Sequence, residues 1–154
     1  VNILDDLGFV FADALAEVIS KVSGVSLKNS VLPYHDGFDE MIGIMNLSGN
    51  NSGMLLITAK EAAMRVLCSL MIGIPEDEVT KDDIFDMLCE LVNMTAGNAK
   101  LRLSNVSYSF ALSLPFLISG DNMAIRIKKN EHIVTRVLSD GQTSLTIKVV
   151  HQIS

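Results

Sequence analysis

The sequence predicts an α+β fold in which two long helices pack on a largely antiparallel sheet. Three observations carry this expectation. Apolar residues recur with helical period over 3–23 and again over 81–103; short alternating or apolar runs elsewhere are punctuated by hairpin chemistry; and an internal repeat relates the two halves. With 154 residues, 49% of them hydrophobic, the chain is long enough to bury a sizeable core, and residues 1–154 read as a single domain.

Taken in order, residues 3–23 place Leu4, Leu7, Phe11, Leu15, Val18, Ile19 and Val22 on one helical face, with Asp6, Asp13, Glu17 and Ser20 opposite. Gly24 is positioned to end that helix. Val25–Tyr34 reads as a strand broken near Pro33, and Phe38–Leu47 and Met54–Thr58 as two more. Between the latter pair, Ser48-Gly49-Asn50-Asn51-Ser52-Gly53 has the composition of a hairpin turn. Thr58 and Glu61 have capping-box spacing for a short helix, Ala59–Met71, which Gly73 and Pro75 close. Thr80 and Asp83 form an acidic version of the same box and open the second long helix, Lys81–Leu103. Strands are expected near Val106–Leu114, Met123–Lys129, His132–Leu138 and Thr143–His151, the last two joined at Ser139-Asp140-Gly141.

The repeat is visible when Asp13-Ala14-Leu15-Ala16-Glu17-Val18-Ile19-Ser20-Lys21-Val22-Ser23-Gly24 is set against Asp86 to Gly97. Asp, Leu, Glu and Gly recur at the same places. Downstream, Leu47-Ser48-Gly49-Asn50-Asn51 corresponds to Ile118-Ser119-Gly120-Asp121-Asn122. The chain thus reads as two helix-plus-strands units, about 3–58 and 81–131, with an inserted helix at 59–72. In the first unit Ser20 stands where the second has Asn93.

Composition narrows the function classes. No apolar run reaches the ~18 residues of a membrane span. Residues 1–77 hold 10 acids and 4 bases, and residues 78–154 hold 8 of each, so no basic stripe suits nucleic acid or an anionic membrane. His35, His132 and His151 are scattered without ligand spacing, and no P-loop or Gly-x-Ser-x-Gly elbow is present. Cys68 and Cys89 lie among apolar neighbours and read as buried thiols, which, with no secretory signal in the sequence, suits the cytoplasm. The eight methionines read as core filler rather than as a binding groove.

Attention then falls on the second long helix. Ile84, Leu88, Leu91, Val92, Thr95 and Ala99 share one face; Asp86, Glu90, Asn93, Gly97 and Lys100 share the other. Glu90 and Asn93, three apart, set a carboxylate beside a carboxamide. A plain solvated face is the bland reading. Two details weigh against it: asparagine prefers caps and turns to helix interiors, and a mid-helix glycine costs about 1 kcal/mol relative to alanine. Gly97 either packs the helix closely on its own sheet or lets another surface approach beside the pair.

Glu90-Leu91-Val92-Asn93-Met94 followed by Ala96-Gly97-Asn98-Ala99-Lys100, preceded by an inserted helix and followed by the Pro115 to Gly120 stretch, resembles the CheC/CheX/FliY phosphatase family of bacterial chemotaxis. The CheX branch is the best fit. The resemblance spans nearly the whole chain. It implies a CheC-like fold and hydrolysis of the aspartyl phosphate of a CheY-type response regulator, with Glu90 and Asn93 catalytic and Gly97 and Lys100 as partner contacts. An amide can hold a water in line with phosphorus, and Glu90 could pair with a lysine of the regulator. The resemblance further implies that Mg²⁺ belongs to the regulator's active site, with no cofactor or metal held by this chain, and that two copies can dimerise through the sheet. Two-site relatives carry the motif in both long helices; here only Glu17 matches in the first, Ser20 replacing the asparagine, as in CheX-type members. The alternative is a non-catalytic adaptor or oligomerisation module that binds a regulator or a flagellar switch protein. The intact Glu90/Asn93 pair favours the enzyme.

Overall fold

The computed structural model describes residues 3–31 and 37–152. Three helices and seven strands follow one another as α1 (Ile3–Ser23), β1 (Lys28–Val31), β2 (Met41–Ser48), β3 (Gly53–Ala59), α2 (Glu61–Ile72), α3 (Lys81–Arg102), β4 (Ala111–Leu112), β5 (Phe116–Ser119), β6 (Glu131–Ser139) and β7 (Ser144–Gln152). A single 3-10 turn, Glu76–Glu78, leads into α3. All strand pairs are antiparallel, in the order β1-β6-β7-β3-β2. Along the remaining edge of β2 lie β4, at Leu47–Ser48, and β5, at Met41–Ile44. The α+β class expected from the sequence is the one observed. No helix among the described residues is long and apolar enough to cross a membrane.

The helices cover one face of the sheet. Leu7, Phe11, Leu15 and Ile19 of α1 and Ile84, Leu88, Leu91 and Val92 of α3 meet Met45, Leu55, Ile57, Ile147 and Val149, all buried. Strand alternation places the odd-numbered residues of β3 and β7 on that face and the even-numbered ones on the other. There, Ile42, Ile44, Leu56 and Val150 form a smaller core covered by Phe38, Met123, Ile125, Ile127 and Ile133. This cover leaves Lys148 wholly buried, its Nζ donating to Thr135 Oγ1 at 3.5 Å and lying 5.2 Å from the Phe38 ring centroid; burial pushes its pKa down.

Several local signals read from the sequence are present. Gly24, at φ +76°, donates its N–H to Ser20 O at 3.0 Å and ends α1, and Gly73, at φ +72°, ends α2. At the β6–β7 turn, Asp140 Oδ1 accepts from the N–H groups of Gln142 and Thr143 at 2.9 and 2.7 Å.

Four expectations need correction. The N-cap of α2 is Lys60, with no side-chain cap. Thr58 belongs to β3, and its hydroxyl donates to Met41 O and accepts from Asp39 N, both at 2.9 Å. The N–H of Glu61 is satisfied instead by Glu40 Oε2 at 3.0 Å, from a residue 21 positions away. The strand expected at Val106–Leu114 shrinks to Ala111–Leu112, because the chain stays in turns from α3 until it meets β2. Pairing resumes at Phe116–Ser119, beyond Pro115, which has no N–H to donate; there a strand exists that strand patterning did not single out. Met123–Lys129 is not a strand: among the described residues its β-pairing is the isolated Gly37–Ala124 bridge. The alternation there comes from Met123, Ile125 and Ile127 facing the sheet as cover, which is one-sided burial without a ladder. Finally, the strand expected from Val25 begins at Lys28 and runs to Val31 among the described residues, while its Pro33–Tyr34 end lies outside them.

Candidate functional site

The helix carrying the candidate residues is fixed at both ends and along its buried face. At its start, Asp83 N–H donates to Thr80 Oγ1 at 3.1 Å while Thr80 N–H donates to Asp83 Oδ2 at 2.9 Å, the reciprocal box expected. Hydrogen bonds from Thr80 hold the Asp83 carboxyl below its usual range. Arg65 of α2 donates to the carbonyls of Glu76 and Val79, tying down the chain that enters α3. Ile84, Leu88, Leu91, Val92, Thr95, Ala96 and Ala99 are all fully buried. Opposite them Gly43 lets β2 approach, since a methyl at that position would stand 2.7 Å from Val92 Cγ2 and 3.1 Å from Leu88 Cγ.

A helix so anchored presents a rigid outer stripe. Asp86, Glu90, Asn93 and Lys100 are exposed, and Gly97 is half-buried. Glu90 and Asn93 lie three residues apart, hence as neighbours on the surface. The side chain of neither makes a hydrogen bond or ion pair with any described residue. Towards the helix start, Glu90 borders a shallow acidic depression shared with Ile72, Asp83, Asp86 and Met87. Towards the helix end, Gly97 and Lys100 border an apolar groove with Leu101, Leu103, Val106 and Tyr108. Around Gly97 itself, a methyl group would meet nothing within 4 Å. Close packing on the chain's own sheet is therefore not the reason for that glycine.

The corresponding residues of the first long helix have another fate. Glu17 is bound to Lys21 at 2.7 Å, to Arg102 and, at 3.3 Å, to Asn98 Nδ2, while Arg102 Nε donates to Asn98 Oδ1 at 2.7 Å. These partners, Lys21 first and then Arg102 and Asn98, bring the Glu17 carboxyl from 4.5 to about 2. Its charge is spent in holding α1 against the end of α3. Ser20 is exposed. Gly24 ends α1, whereas Gly97, its counterpart in the repeat, lies inside α3.

The structure also brings together groups that spacing in the sequence does not. Asn98 and Arg102, one turn apart on α3, converge on Glu17, and their i, i+4 interval is the sequence signal for a shared partner. His132 and His151 face each other across the β6–β7 ladder, rings stacked with centroids 5.9 Å apart, and burial lowers the pKa of His151. Among the described residues no three His, Cys, Asp or Glu side chains gather as a metal site would need. Cys68 is buried and Cys89 half-buried, both as free thiols whose pKa burial raises.

An exposed carboxamide with its donors and acceptor unspent, on a helix capped at its start and buried along its inner face, can orient a small molecule or a partner's reacting group. Comparison with known proteins bears on which. Residues 41–138 match the family model described as chemotaxis phosphatase CheX. Among solved structures, the fold is shared with a putative chemotaxis protein from Desulfovibrio vulgaris Hildenborough: 20% identity over 96% of this chain and 97% of that one, TM-score 0.83. Chemotaxis protein CheX from Vibrio vulnificus is 24% identical over 94% and 95% of the two chains, TM-score 0.80. A chain of the CheX–CheY–BeF3–Mg²⁺ complex from Borrelia burgdorferi is 21% identical over 94% and 96%, TM-score 0.75. No curated protein matches the sequence. The family match spans more than half of the chain, and the chain therefore belongs to the CheX family of chemotaxis phosphatases.

Proposed function

We propose that this protein is a phosphatase that hydrolyses the aspartyl phosphate of a CheY-type response regulator and so ends or adjusts a chemotaxis-like signal. The observation that carries the reading is the Asn93 carboxamide: exposed, unpaired among the described residues, and borne by a helix whose other face is fully buried. Membership of the CheX family and the likeness to a chain from a CheX–CheY complex support it.

An acyl phosphate is an activated species, so its hydrolysis needs positioning and charge stabilisation more than covalent help. In this reading the regulator seats on the outer face of α3 and Asn93 enters its phosphorylation pocket. The side-chain oxygen accepts a hydrogen bond from a water, and the amide N–H donates to a phosphoryl oxygen. The water attacks phosphorus in line as the bond to the aspartyl oxygen breaks. The regulator's carboxylate leaves, both of the water's protons stay with the phosphate, and it departs as dihydrogen phosphate. The role is that of the water-orienting glutamine in Ras-type GTPases. Glu90, one turn nearer the helix start, pairs with a cation on the regulator and sets the depth of Asn93. Among the described residues no three His, Cys, Asp or Glu side chains gather as a Mg²⁺ site would need, and the ion is assigned to the regulator's own carboxylates.

The test is phosphate loss from a ³²P-labelled CheY-type regulator, timed with and without the protein. The wild type should accelerate it, and Asn93→Ala should lower kcat by about 10²–10³-fold, the loss seen when one oriented donor is removed from a preorganised site, with regulator binding retained. Unaccelerated phosphate loss in the presence of wild-type protein would leave the adaptor as the better reading. The side of β5 left unpaired among the described residues, where Leu114, Phe116 and Ile118 are exposed, is the edge we assign to contact between two copies, a dimer that sedimentation would detect.

A further inference from the structure

The groove at the end of α3 has no role in the chemistry above. Its volume is about 260 Å³, and it is lined by Gly97, Lys100, Leu101, Val106 and Tyr108 together with Leu103 and two serines. Leu101 is 76% exposed and Val106 51% exposed, both at the rim, whereas Tyr108 and Leu103 form a buried floor. Exposed aliphatic side chains over a roomy apolar floor are what a partner's side chain fills.

Position decides which partner. Gly97 lies four residues beyond Asn93 and Lys100 seven, about 6 and 10 Å along the axis on the same stripe. A standard protein interface covers about 800 Å² on each partner, a patch roughly 30 Å across. A patch of that size centred on Asn93 takes in the groove as well. Covering it without filling it would leave apolar walls facing a void, with their dispersion contacts forfeited. The two ends of the stripe differ in chemistry: Asp83, Asp86 and Glu90 surround the first, whereas Lys100 is the charged residue in the lining of the second. That asymmetry gives a docked partner one orientation, cationic group towards Glu90 and apolar group towards Gly97.

We infer that the Gly97–Leu101–Val106–Tyr108 groove receives an apolar side chain from the surface of the phosphorylated response regulator, beside its phosphorylation pocket, and that this contact selects which regulator is dephosphorylated. The inference rests on the phosphatase reading and adds to it a recognition element away from the reacting atoms.

Leu101→Ser and Val106→Ser test it, with hydrolysis of the phosphorylated CheY-type regulators of the same organism as the assay. Both side chains are exposed, so the midpoint of thermal unfolding should stay within about 2 °C of wild type. KM should rise about tenfold for each, the loss expected of an anchor residue, with kcat unchanged within about twofold, since Glu90 and Asn93 are untouched. An unchanged KM in both variants, or a fall in kcat alone, overturns the proposal. So does conversion of a dimer to a monomer by either variant with KM unaltered, which would assign the groove to a second copy of this chain. Titration with the beryllofluoride-activated regulator separates this idea from the phosphatase reading. Should wild-type protein bind without hydrolysing, weaker binding by both variants still supports the groove and equal binding rejects it. Should wild-type protein fail to bind any of these regulators, the groove proposal falls together with the function.

Discussion

Replacing Gly97 by alanine separates what the fold wants from what the site wants. A glycine inside a helix costs about 0.8–1.0 kcal/mol relative to alanine, because the unfolded chain loses more freedom on folding and no side chain shields the backbone. That advantage is normally cancelled where a methyl would collide with a neighbour. At Gly97 nothing lies within 4 Å of the added carbon, in contrast to Gly43, where Val92 stands at 2.7 Å. Gly97→Ala should therefore stabilise the protein by about 1 kcal/mol. For a chain of this size that raises Tm by about 2–4 °C and moves the urea midpoint upward by roughly 0.3–1 M. Circular dichroism during urea and thermal titrations reads both. Over the same substitution the KM for a phosphorylated regulator should rise, because the methyl would sit where the proposed complex brings the regulator's surface close. A drop in stability would mean that the glycine serves a packing need within the fold. Stabilisation with unchanged hydrolysis would remove the reason given for finding a glycine there.

The other expectations follow from equally local features. Glu90→Gln should raise the regulator's KM several-fold while leaving Tm unaltered, because the side chain is exposed and makes no bond within the described chain; a large fall in Tm would assign Glu90 to the fold. Glu17→Gln should reduce stability at neutral pH in a pH-dependent way. The Glu17 carboxyl titrates at about 2 in the folded protein against an ordinary 4.5, so its contribution is complete above 4.5 and is lost as pH falls through about 2. Unfolding curves of wild type and variant should converge over that window, and added salt should shrink the gap at pH 7, since the pair is half-exposed; a gap independent of pH would contradict the ion-pair role. Gly43→Ala should destabilise by about 1–3 kcal/mol, with hydrolysis impaired as α3 is pushed off β2, and denaturant unfolding that matched wild type would show that the close approach is not needed.

What could be read from the sequence alone was whatever depends on residues a few positions apart. The buried and exposed faces of α1 and α3, the Thr80–Asp83 box, the glycines ending α1 and α2 and the Asp140 turn are all set by partners within about four residues, and the geometry of one helical turn or one hairpin is fixed. Glu90 and Asn93 were legible for the same reason, since an interval of three on a helix already fixes their adjacency and the apolar stripe opposite fixes which way they face. Distant partners were beyond such reasoning. Glu61 takes its cap from Glu40, Glu17 is tied, beyond its neighbour Lys21, to Arg102 from the other long helix, and Met123–Ile127 alternates because it covers a sheet to which it is not paired. Each is decided by which segments come together in space, and a short interval along the chain carries no information about that. The open space around Gly97 belongs with them: the sequence records that a side chain is missing, and only the packing of everything else shows that nothing in this chain takes its place.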